Sequence, residues 1–128
     1  MIVIVIVGVL AAVALPNFLG AKSKAEAGSL IGTMTGYAKE CAANAAIQSP
    51  EALAGLPGTV TVTAATGGTV CSKGATIANT TAFPDATKIG GLTCGVNSSG
   101  VAQKANGTSH VTCTLTVDAN GGTTGAWS

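Results

Sequence analysis

The chain contains no arginine and one histidine, His110, and its charged residues make up only 9% of 128 positions, with a net charge of +1. A nucleic-acid footprint needs a basic stripe, and an acidic-substrate surface needs a strong field; this composition offers neither. Paired carboxylates are also lacking: Glu26, Glu40, Glu51, Asp85 and Asp118 are scattered along the chain. His110 is the sole conventional general base near neutral pH, and it reads as a strand-surface residue. Serine and threonine are too abundant for a neighbouring hydroxyl to signal a nucleophile. Gly67-Gly68 and Gly90-Gly91 have no strand-to-helix context, so they read as turns rather than phosphate loops. No catalytic, cofactor-binding or metal-binding residue is expected.

Aromatic residues are equally scarce, at 3%, while glycine and threonine number 18 each. Any core must therefore be built from Val, Leu, Ile and Ala, and a unit of that kind is marginal without staples. Cys41, Cys71, Cys94 and Cys113 supply them. They form no Cys-x-x-Cys pair and lack histidine partners, which argues against zinc and for two disulfides in an oxidising compartment. Four cysteines allow three pairings, and spacing alone does not choose. The preferred set is Cys41–Cys71, tying a helix end to the following loop, and Cys94–Cys113, joining two strands.

Residues 17–46 read as amphipathic helix. Ala27, Leu30, Ile31, Met34, Tyr37, Ala38, Cys41 and Ala45 recur at three- and four-residue steps. Gly28, Gly32 and Gly36 fall four apart and mark either a tolerated helix surface or a groove where a sheet or a neighbouring subunit approaches closely. After Ser49-Pro50 the texture becomes short β-type runs: 59–63 and 111–117 alternate with period two, 92–96 is a brief run, and a last strand is expected near 123–127 after the turn at 118–122. Residues 66–90 read as a Gly/Thr-rich surface excursion. The fold class is thus α+β: a long N-terminal helix, apolar first and amphipathic second, packed on a small C-terminal antiparallel sheet. Trp127 is expected to pack on the sheet or at a subunit contact. The sequons at Asn79, Asn97 and Asn106 are attributed to composition.

Residues 1–16 hold no charge at all. Fifteen of them as helix would span roughly 22 Å, short of the ~30 Å hydrocarbon layer. A cleaved signal peptide would need a basic segment before the apolar run. A buried core helix would need apolar cover all round, which the small polar remainder does not provide. The third reading is a helix that occupies a membrane first and a protein assembly later.

The run Met1-Ile2-Val3-Ile4-Val5-Ile6-Val7-Gly8-Val9-Leu10-Ala11-Ala12-Val13-Ala14-Leu15-Pro16-Asn17-Phe18-Leu19 resembles the N-terminal signature of type IV pilins. The resemblance implies a short stretch containing a glutamate immediately before Met1, which would bring the apolar length to about 21 residues and match a bilayer. It further implies 1–16 as the membrane and filament-core segment and 17–128 as the pilin domain, with helix at 17–46, a connecting loop at about 47–91 and the sheet at about 92–128. Ile2, Ile4, Ile6, Val9, Leu10, Val13, Leu15 and Phe18 would then pack in a filament core. Gly8 and Pro16 would bracket a helix break, leaving about Val9 to Leu15 partly extended in the filament. The implied partners are copies of the same chain, the inner-membrane assembly machinery, and the membrane itself before assembly; no nucleic-acid site is visible. The implied location is an extracellular filament. Two rivals are the major pseudopilin of a type II secretion system and a membrane-anchored adhesin. Pseudopilins of that kind resemble calcium binders in their C-terminal loops, whereas the last 40 residues here hold one acid, Asp118.

Overall fold

The computed structural model describes residues 1–83, 87–108, 111–118 and 120–128, with backbone alone at residues 14–17 and 19. It is an α+β fold. A single helix, α1 (Ile2–Ala46), is followed by six strands: β1 (Val60–Thr63), β2 (Thr76–Asn79), β3 (Thr93–Val96), β4 (Ala102–Lys104), β5 (Cys113–Val117) and β6 (Thr123–Trp127). At ~1.5 Å per residue, α1 is about 67 Å long. Its end is built by local chemistry. Gln48 adopts a left-handed φ of 56°, its N–H and that of Ser49 donate to the carbonyls of Ala45 and Asn44, and Pro50 follows. These two bonds satisfy carbonyls the helix leaves open, in the pattern usually made with glycine.

Four strands form one antiparallel sheet in the order β1-β2-β5-β6, and β3-β4 form a second, two-stranded one. In β1 the valines are buried and the threonines exposed, and β5 buries Cys113, Leu115 and Val117 while Thr114 and Thr116 turn outward. Period-two alternation is thus used as the sequence implies. The buried side chains of β2 and β5 meet a stripe on α1 made of Ala27, Ile31, Met34, Ala38, Cys41, Ala42 and Ala45, with Leu30 and Tyr37 at its margins. The stripe begins at Ala27; one step earlier, Lys24 Nζ donates to the Gly90 carbonyl at 3.2 Å.

The two sheets cross where β3 lies on β6. Gly95 and Gly125 make the crossing possible: a Cβ on Gly125 would land on the carbonyl of Cys94, and one on Gly95 would sit 3.2 Å from Gly125 Cα. Both disulfides of the preferred pairing are formed. Cys41–Cys71 has a Cα separation of 4.9 Å and ties α1 to the segment between β1 and β2. Cys94–Cys113 spans 5.7 Å and joins the two sheets, rather than two strands of one sheet.

The segment from 47 to 91 is not a connecting loop. It contains β1 and β2, half of the larger sheet. The stretch 66–90 is likewise no surface excursion, since Ala75, Ile77, Phe83 and Ile89 are all buried. The reason lies in β2, Thr76-Ile77-Ala78-Asn79, whose inward positions are filled by one isoleucine and one asparagine. Asn79 is buried because its Nδ2 donates to the Thr81 carbonyl at 2.7 Å and to the Val111 carbonyl at 3.4 Å. Its Oδ1 accepts the Cys113 N–H at 2.8 Å. A polar residue that replaces missing backbone bonds can occupy a core position, but it erases the hydrophobic alternation that announces a strand. β4, three residues long and without a buried apolar side chain, has no signal of its own.

Candidate functional site

The first quarter of α1 stands clear of the fold. Ten large apolar side chains between Met1 and Val13 are exposed, from 53% at Ile6 to 101% at Met1. Ile2, Ile4, Ile6, Val9, Leu10 and Val13 belong to this set, and Phe18 continues it at 66%; the side chain of Leu15 lies outside the described residues. The helix is apolar on every face here, because no polar residue interrupts 1–15. Such a surface needs lipid or other helices around it. Among the described residues no helix is long and apolar enough to cross a membrane.

α1 is helical through Gly8 and Pro16, so the extended segment expected between about Val9 and Leu15 is absent from the single chain. Proline removes only its own amide, whose partner would be the Ala12 carbonyl, and the intervening Leu10 and alanines favour helix.

Along the second half of α1 the outward face is small and polar. A side chain at Gly28, Gly32 or Gly36 would meet nothing within 4 Å, so no sheet approaches these glycines and that alternative is set aside. Lys22 and Glu26 pair at 3.7 Å, one turn apart, with side chains 63% and 68% exposed; such a pair contributes at most ~1 kcal/mol.

Two clefts flank α1. One, about 330 Å³, lies at its C-terminal end against Cys71 and Lys73. The other, about 190 Å³, is walled by Ala27 and Leu30 of α1 and by Ala82, Phe83 and Ile89, with Glu26 in its lining. Sequence reasoning missed this second cleft, because its far wall comes from the stretch read as a surface excursion. Trp127 packs as expected: its Nε1 donates to the Gln103 carbonyl at 3.0 Å, and its ring lies 6.0 Å from that of Phe83.

Among the described residues no group of three or more His, Cys, Asp or Glu side chains could hold a metal ion. His110 and Asp85 lie outside the described residues. At the C-terminal turn, Asp118 Oδ1 accepts the N–H groups of Asn120 at 2.8 Å and Gly122 at 2.7 Å, which makes it a turn-forming residue. Of the three sequons, that at Asn79 is closed by burial, and Asn97 Oδ1 is engaged by the N–H groups of Ser99 and Val101. No family model, curated protein or solved structure matches this chain.

Proposed function

We propose that this chain is a structural subunit, not a catalyst, that polymerises into a type IV pilus-like filament on the cell surface. The observation that carries the reading is the all-round apolar exposure of α1 from Met1 to Val13, joined without interruption to a disulfide-tied domain. Ten aliphatic side chains at ~1.5 kcal/mol each amount to roughly 15 kcal/mol if they pass from water to an apolar environment. The helix therefore resides in the inner membrane before assembly and among copies of itself afterwards. Transfer from lipid to a helix bundle returns little hydrophobic energy, because both surroundings are apolar. Assembly accordingly requires machinery in the inner membrane that drives extraction.

In the filament Ile2, Ile4, Ile6, Val9, Leu10, Val13, Leu15 and Phe18 pack in the core, while the sheet and its loops face outward. Both disulfides suit an oxidising extracellular setting. The low charge weakens repulsion between copies.

Electron microscopy of material sheared from cells expressing the chain tests the reading. Thin filaments with helical symmetry, labelled by antibody to the 47–128 region, are expected. A chain that stays wholly in the membrane fraction as a monomer would refute polymerisation and favour an anchored adhesin. Short assemblies confined to the periplasm would favour a pseudopilin.

A further inference from the structure

We propose that Lys22 and Lys24 form a seat for anionic phospholipid headgroups, so that the base of the folded domain docks on a negatively charged bilayer surface before assembly. The inference rests on the reading that α1 resides in a membrane at that stage, and it names the lipid chemistry met there. No charged side chain precedes Lys22, and no acid precedes Glu26. The exposed apolar surface of Met1 to Val13 is continued by Phe18, 66% exposed, and the first two charges after it are both basic. One continuous helix thus passes from a surface suited to hydrocarbon to one suited to phosphate.

The spacing fits the layer. Headgroups add about 5–8 Å to each side of the ~30 Å hydrocarbon core. With Phe18 at the hydrocarbon edge, Lys22 lies about 6 Å and Lys24 about 9 Å further along α1, and the long lysine stem lets each ammonium reach the charged layer. Glu26 lies about 12 Å along, past that layer. Its pair with Lys22, 3.7 Å long with both side chains exposed, holds the ammonium only weakly, so a lipid phosphate can replace it. Lys24 Nζ donates to the Gly90 carbonyl at 3.2 Å; this bond uses one of the three donors an ammonium carries. The same bond holds the turn closed by the Leu92 N–H on the Ile89 carbonyl at the level of Lys24, so the domain meets the bilayer at this turn. Charge complementarity selects the occupant: each lysine beside an anionic bilayer strengthens binding about fivefold, a gain that a surface without net charge does not supply.

The full chain in mild detergent is offered two vesicle populations together, one of phosphatidylcholine and one of equal parts phosphatidylcholine and phosphatidylglycerol. The detergent is then removed and the populations are separated by density. A preference for the phosphatidylglycerol vesicles of roughly 25-fold at low salt is expected for two lysines, falling as salt is raised. Lys22→Gln and Lys24→Gln are each expected to lose about fivefold of it, with unchanged circular dichroism. Lys39→Gln is the control: its position about 30 Å beyond Phe18 along α1 is several Debye lengths from the surface, and it should keep the parent's preference. Equal distribution of the parent would overturn the inference while leaving membrane residence intact, and so would a preference that survives in the Lys22/Lys24 double variant or is lost equally in Lys39→Gln. A chain that enters neither population overturns both this inference and the membrane stage of the filament reading.

Discussion

Replacing Gly125 by alanine tests whether the crossing of the two sheets is as tight as it looks. Gly125 pairs with Leu115 in the centre of the β5-β6 ladder, so β6 cannot shift without breaking register. On the other side the new methyl group would coincide with the Cys94 carbonyl, and Cys94 is tethered to Cys113 of β5 by the disulfide. Neither wall is a flexible side chain. Overpacking of this kind costs typically 1–3 kcal/mol and more where backbone must move, so Gly125→Ala is expected at the upper end, ~3 kcal/mol or beyond. For a unit of this size each kcal/mol lowers the melting temperature by about 4–8 °C, giving a drop of roughly 12–24 °C. Gly36→Ala is the control: its methyl group meets nothing within 4 Å, and in a helix it should stabilise by up to ~1 kcal/mol. Thermal and urea unfolding of the oxidised full chain reads both. If Gly125→Ala melts within ~3 °C of the parent, the backbone contact is not tight and the account of the crossing is wrong.

Removing both members of Cys41–Cys71, as serines, should cost ~2–4 kcal/mol in the chain-entropy view; the parent should show no reactive thiol in non-reducing denaturant, and two or more per chain would count against both bridges. Asn79→Ala leaves the Cys113 N–H without its acceptor and the Thr81 carbonyl without that donor, and is expected to destabilise by about 2–4 kcal/mol; unfolding of the variant at the parent's urea midpoint would show that the buried amide is dispensable. Trp127 emission should be blue-shifted relative to a water-exposed indole and should move to that of free indole only on unfolding, since the ring is packed against the core. In assembled filaments the rise per residue between Gly8 and Pro16 should exceed the ~1.5 Å of helix, because Gly8 and Pro16 weaken the helix at both ends of that stretch; a helical rise throughout would dispose of that idea.

Periodicity and composition made several features legible in the sequence. The α1 stripe from Ala27 to Ala45, the alternating β5, the last strand and the turn before it all follow from local chemistry repeated every 3.6 or 2 residues. The apolar run of 1–16 is equally plain, because a helix without polar positions has no face to offer water. The cysteine pairs were favoured by position, but three pairings stayed open, and only the three-dimensional approach of Cα atoms to 4.9 and 5.7 Å selects one. Tertiary structure alone decided the place of β2. Asn79 occupies a core position by bonding to residues 81, 111 and 113, and partners up to 34 positions away leave no trace in local pattern. The role of Gly125 was also beyond sequence, since a glycine required by another strand's carbonyl looks like any glycine until the two sheets are laid across each other. The cleft beside Phe83 belongs to the same class: its walls come from α1 and from residues about 50 positions later, and only packing brings them together.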